Sequence, residues 1–273
     1  MTRRPKLFAT WKNQVSLAQS LALAAVAVRA AAQTEGLFEL SVCPSMTALA
    51  PVAALVATNQ TANGGKVAVP AQNMGRDDRH SLTGETSATD LTALGCRYVI
   101  VGHSERRLYL GETDDMIARK LKTALTHQLT PILCVGYTLE QHQAGQSEQA
   151  VRVQLEVLLR SYHRSGSPFL IAYEPAWAIS TSSEARTCSP AEAEDRHSLI
   201  RSVLSTELGA DTAADTTLLY GGSITSSNAD SYFTRADIDG GLVGGASQQL
   251  GPFQALIEAS IATYSQPRPT LVT

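Results

Sequence analysis

The chain has 273 residues, of which 44% are hydrophobic and 17% charged, with a formal net charge of −3. This is the composition of a globular protein with ample material for a core, not of a disordered one. The slight acidity gives no electrostatic case for nucleic acid or an anionic membrane surface, and no stretch is long and apolar enough to span a bilayer.

Short apolar runs at 6–10, 38–42, 66–71, 98–101, 131–135, 169–173, 217–220 and 241–243 alternate with longer helical patterns. The runs are continuous rather than alternating, as parallel strands covered on both faces require. Between them, 16–33 carries its apolar residues on one face, and 48–58 is interrupted by Pro51, which predicts a first turn or a kink. Residues 87–94 open with Ser87-x-x-Asp90 and close on Gly95, and 113–127 begins Thr113-Asp114-Asp115, with acids in the first turn. Leu155, Leu158, Leu159 and Tyr162 place a helix over 147–163. Ser189-Pro190-Ala191-Glu192 combines an N-cap, an N1 proline and a capping-box glutamate, predicting a helix to about residue 208. Short helices follow at 228–232 and 252–263. Eight strand–helix pairs predict an α/β protein, a closed (β/α)8 barrel forming a single domain over 1–273. No G-x-G-x-x-G follows the first strand, which argues against an open dinucleotide-binding sheet.

The four cysteines, Cys43, Cys96, Cys134 and Cys188, form no C-x-x-C pair and no metal-spaced cluster. Reduced thiols, with a short basic N-terminus that runs straight into a strand rather than a secretory signal, predict a cytoplasmic protein. Cys188 lies in a polar stretch and could be exposed.

In a barrel the active site forms where the strands end. Lys12 follows the first strand, Gly102-His103-Ser104-Glu105 the fourth, Glu174 the sixth, Tyr220-Gly221-Gly222-Ser223 the seventh and Gly244-Gly245 the eighth. Each alone would more readily be a solvated loop residue, but here a cation, a histidine, a carboxylate and two glycine pairs converge on one mouth. The glycine pairs can turn backbone N–H groups toward a phosphate. A carboxylate can take a proton from carbon beside a carbonyl that a histidine polarises. Pro175 to Ile179, an apolar tip directly after Glu174, predicts a lid that excludes water.

These segments, with Trp11-Lys12, Ala71-Gln72-Asn73, Thr83-Gly84-Glu85, His103 to Arg107, Ala172 to Ile179 and Leu242 to Ser247, closely resemble the triosephosphate isomerase family in order along nearly the whole chain. The resemblance implies a TIM barrel that interconverts dihydroxyacetone phosphate and glyceraldehyde 3-phosphate, with no cofactor and no metal. It implies Glu174 as base, His103 as electrophile, Lys12 as electrostatic clamp, and Ser104 and Glu105 as supporting residues. Thr10, Ser180, Ser223, Gly244 and Gly245 would then touch substrate, with a lid of Pro175, Ala176, Trp177, Ala178, Ile179, Ser180 and Thr181. It also implies a homodimer in which the loop 74–86, with Thr83, reaches into the partner subunit.

The chain departs from the family pattern at four places. Thr10 stands where the family has asparagine. Ser180 replaces a lid glycine. The stretch 180–190 is longer than usual. Tyr137 replaces a glutamate that helps order the lysine and its Ser-Glu network. A paralogous isomerase of a four-carbon sugar phosphate, and a poorly active phosphate-binding barrel, are the alternatives these departures allow.

Overall fold

In the computed structural model, which describes residues 3–63, 66–78, 81–162, 167–178 and 187–266, strands and helices alternate as the apolar runs predict. The order begins β1 (Lys6–Thr10), α1 (Leu17–Thr34), β2 (Glu39–Cys43), α2 (Met46–Asn63), β3 (Val67–Ala68), α3 (Ala88–Ala93) and β4 (Tyr98–Val101). It continues with α4 (Ser104–Leu110), α5 (Asp114–Thr126), β5 (Thr130–Tyr137), α6 (Leu139–Gln143), α7 (Ser147–Ser161) and β6 (Leu170–Pro175). The last part is α8 (Pro190–Leu208), α9 (Ala210–Asp215), β7 (Thr217–Tyr220), α10 (Ala229–Phe233), β8 (Gly240–Val243) and α11 (Leu250–Tyr264).

All strand pairings are parallel, in the order β3-β2-β1-β8-β7-β6-β5-β4. The ring closes between β3 and β4 through a single parallel bridge, Ala71 to Val99, with Ala71 N–H donating to Tyr98 O (3.1 Å) and Ile100 N–H to Ala71 O (2.9 Å). The third strand is shorter than the predicted 66–71 for a local reason. Pro70 has no N–H to give a ladder, so regular pairing stops at Ala68 and only Ala71 rejoins the sheet.

The strands are apolar throughout because both faces are buried. One set, Phe8, Tyr98, Ile100, Ile132, Cys134, Leu170, Ala172, Leu219 and Leu242, packs together as a core of its own with Cys43, and Phe8 meets the Tyr98 ring edge-on at 5.3 Å. The alternate residues, such as Leu7, Ala9, Leu133, Ile171 and Leu218, pack in a second core with the helices. This inside-and-outside division is what a filled barrel demands.

Helix starts follow their caps. Ser87, Thr113 and Ser189 each accept an N–H from the first turn, as their sequences predict, and Ser16 forms a capping box with Gln19 that the apolar pattern did not announce. Pro51 neither starts nor ends α2, which begins five residues earlier and runs through it; the helix is held by buried Ala48, Leu49, Val52 and Val56. The sequence reading missed α6, although Thr138-x-x-Gln141 is a complete capping box in the structure.

Two strands extend beyond their predicted ends, and both extensions matter for the site. β6 includes Glu174 and Pro175, and β5 includes Gly136 and Tyr137, which they pair with. Glu174 therefore belongs to the sheet and does not open a loop. Pro175, as the last residue of its strand, leaves no ladder bond unmade.

Cys188 is fully buried, although its polar stretch would allow exposure. Burial, with the nearby charge of Glu192, pushes its thiol up to about 12. All four cysteines are free and buried. At the opposite end of the barrel from the predicted site, fully buried Asp239 accepts from Arg3 Nε (2.7 Å), Arg201 Nη2 (3.1 Å) and Leu218 N–H (3.0 Å). Such a carboxylate is tolerable in a core because both of its oxygens are hydrogen-bonded and two guanidinium groups offset its charge.

Candidate active site

Glu174 sits at the C-terminal end of β6, only 2% exposed. Two glycines make room for it. A Cβ on Gly136 of the neighbouring β5 would lie 1.7 Å from the Glu174 carbonyl oxygen, and one on Gly221, just after β7, would lie 2.7 Å from its Cγ. No side chain fits at either position: Gly136 admits the Glu174 backbone and Gly221 leaves room for its side chain. Below it, the buried Cys134 thiol is pushed well up, first by desolvation, then by the Glu174 charge and a hydrogen bond to its carboxylate.

The carboxylate is held by its neighbours across the barrel mouth. Ser104 N–H, in the first turn of α4, donates to Glu174 Oε2 at 2.9 Å. His103 Nε2 lies 3.1 Å from Glu174 Oε1. The other ring nitrogen, Nδ1, accepts the Glu105 N–H at 3.2 Å. A nitrogen that accepts a backbone N–H carries no proton, so the tautomer is Nε2–H and the imidazole presents a donor to the site.

Lys12 approaches from β1. Its Nζ is 2.6 Å from Glu105 Oε1. Its backbone has φ 51, a left-handed conformation that non-glycine residues rarely adopt. Gln72, beyond β3, braces this strain: its Nε2 donates to Lys12 O (3.0 Å) and to Cys43 O (2.8 Å). Gln72 belonged to a recognised segment but was given no role from sequence. Replacing it with alanine is expected to lower kcat/KM about tenfold and stability by about 1 kcal/mol, since one backbone carbonyl loses its donor and the strained turn its brace. Steady-state kinetics and a denaturant titration check both effects.

The structure thus joins Lys12, Glu105, His103, Ser104 and Glu174 by direct contacts. Tyr137 is not part of that network. Its hydroxyl accepts from the Tyr173 hydroxyl at 2.6 Å, and its ring stacks on His142. The Lys12–Glu105 pair forms without a glutamate at position 137.

Thr10 ends β1, 3% exposed. The register pairs Ala9 with Val243, which puts Thr10 and Gly244 at the same level of the mouth. Gly244 and Gly245 lead from β8 into a 3-10 turn, Gly245–Ser247, in which the Ser247 hydroxyl donates to Val243 O (2.8 Å). Ser223 is oriented differently from a free anion donor: its N–H (3.1 Å) and its Oγ (3.0 Å) both donate to Ala178 O. Of the lid residues, Pro175 closes β6, while Ala176, Trp177 and Ala178 form a 3-10 turn with Trp177 and Ala178 buried. Ile179, Ser180 and Thr181 lie outside the described residues. Thr83 is exposed in the turn before Gly84. No group of histidine, cysteine and acidic side chains that could hold a metal occurs among the described residues.

A parallel barrel whose mouth sets a buried carboxylate against a histidine that presents Nε2–H and a lysine has the groups of an enzyme active site. Comparison with known proteins agrees. The triosephosphate isomerase family profile matches residues 5–260. A protein named triosephosphate isomerase from Chloroflexus aurantiacus is 45% identical over 228 residues, covering 81% of this chain and 88% of that protein. Proteins of the same name from Magnetococcus marinus and Bacteroides fragilis are 39% and 38% identical, covering 95% and 91% of this chain and 100% and 96% of their own lengths. The chain belongs to the triosephosphate isomerase family.

Proposed function

We propose that this isomerase interconverts dihydroxyacetone phosphate and D-glyceraldehyde 3-phosphate, and that Glu174 moves the proton. The carboxylate takes a proton from the carbon beside the carbonyl, and an enediol(ate) forms. The same group, now an acid, returns a proton to the neighbouring carbon. His103 Nε2–H polarises the carbonyl and steadies the charge that develops on its oxygen. Lys12, anchored by Glu105, holds substrate oxygens. Backbone N–H groups of Ser223, Gly244 and Gly245 receive the phosphate, with Thr10 beside them and Ser180 in the lid. The lid, Pro175 to Thr181, keeps water from the enediolate, which otherwise expels its phosphate. Atoms balance without a cofactor: one hydrogen moves from carbon to carbon, another from oxygen to oxygen, and nothing is oxidised overall.

The observation that carries this reading is the contact of Glu174 Oε1 with His103 Nε2 at 3.1 Å, in a chain of this family. A second copy of the chain is the proposed partner. Leu108, Tyr109 and Leu110 on α4 are 49%, 75% and 64% exposed, an apolar face close in sequence to the site that a dimer would cover, with Thr83 reaching across. One barrel domain and a cytoplasmic setting complete the proposal; four unpaired cysteines support the latter. The experiment is a coupled assay of dihydroxyacetone phosphate beside a four-carbon ketose phosphate. Preference for the three-carbon substrate in kcat/KM supports the proposal, and preference for the longer one overturns it.

A further inference from the structure

The 3-10 turn Ala176–Ala178 stands between Glu174 and Ser223, and its last carbonyl occupies both Ser223 donors. A phosphate that uses the Ser223 N–H must displace that carbonyl, so whatever fixes the turn sets how readily the anion binds. The turn has one large side chain, Trp177, flanked by two alanines. Trp177 is 6% exposed, and its indole Nε1 has no hydrogen-bond partner among the described residues. The ring is therefore placed by packing.

The packing partner is His142 of α6. Its imidazole stacks on the Trp177 ring with centroids 4.9 Å apart and planes 28° from parallel. The same imidazole stacks on Tyr137, at 5.7 Å and 8°. Tyr137 is in turn fixed by the hydroxyl of Tyr173, the residue before Glu174. At the ring edge, His142 Nδ1 lies 3.4 Å from Ser147 Oγ of α7 and 3.8 Å from Glu192 Oε1 of α8. The groups that face His142 are thus Tyr137, Trp177, Ser147 and Glu192. The capping box at Thr138 and Gln141 sets the short helix that carries it.

We propose that His142 is a positioning residue of the phosphate site: stacked between Tyr137 and Trp177, it holds the turn in the arrangement that occupies Ser223, and so weakens anion binding. The inference rests on the reading that the Ser223 N–H receives the substrate phosphate. An energy that favours the occupied arrangement reduces apparent affinity by the fraction of molecules left competent to bind. An aromatic stack of this kind is worth about a two- to tenfold change in such an equilibrium.

The test uses the full chain, with inorganic phosphate as inhibitor of the isomerase reaction. His142→Ala is expected to lower the inhibition constant for phosphate about two- to tenfold, whereas His142→Phe, which keeps a stacking ring, stays within about twofold of the native protein. Damage of a merely structural kind would raise the constant. An unchanged or raised constant in His142→Ala, or equal shifts in the alanine and phenylalanine variants, overturns the role of His142. Failure of phosphate to compete with substrate in the native protein overturns the phosphate site itself, and this inference with it.

Discussion

Glu174→Gln is expected to reduce kcat about a hundred- to ten-thousandfold, the contribution of a positioned general base, with KM changed far less. The amide is nearly isosteric, so the space beside Gly221 still accepts it. Its oxygen can still take the Ser104 N–H that now binds Oε2 at 2.9 Å. What it lacks is a carboxylate to receive the substrate proton. A paired measurement of thermal stability separates this from misfolding, because the predicted variant is folded and slow. Retention of native kcat would remove Glu174 from the chemistry.

Lys12→Met is the second large effect. Its expected cost is about a hundred- to a thousandfold in kcat/KM, the size associated with losing one preorganised electrostatic contact to developing charge. Much of the loss should appear in KM, because the proposed role has the ammonium hold substrate in its ground state as well. The methionine keeps the stem packed but leaves Glu105, now 2.6 Å from Nζ, without its cation. Arginine should not rescue it. The guanidinium is bulkier, and the left-handed backbone at φ 51, braced by Gln72, aims a compact charge into the mouth. Steady-state kinetics on both variants decides the point; full activity in Lys12→Arg would contradict the geometric argument.

Much of this architecture was legible in the sequence because the strands are buried on both faces, and such strands read as unbroken apolar runs. The caps at Ser87, Thr113 and Ser189 were legible because each binds its own first turn, a local interaction. Features that depend on distant segments were not. Nothing in the sequence marks Lys12 as left-handed, since the conformation is enforced by Gln72 from another loop. Gly136 reads as a strand residue, and only pairing with β6 reveals that it admits the Glu174 backbone. Tyr137 departs from the family glutamate, and the sequence could not show that its ring turns to Tyr173 and His142 instead of to the lysine network. Cys188 could be exposed by composition, yet it is buried near Tyr220 and Tyr232, and its carbonyl accepts the Tyr232 hydroxyl at 2.6 Å. The resemblance implies a phosphate contact at Ser223, while the commitment of Ser223 to Ala178 O is visible only in three dimensions.

The role of Glu174 as a proton carrier is tested most directly by following isomerisation in deuterated water. A carboxylate that takes a proton from carbon and exchanges it with solvent before returning it must place solvent deuterium on carbon. The native protein is therefore predicted to form product carrying one solvent deuterium on the carbon that is reprotonated, and Glu174→Gln to lose that exchange in proportion to its loss of turnover. Turnover by the native protein with complete retention of the substrate's own hydrogen, or undiminished exchange in Glu174→Gln, would contradict the assignment.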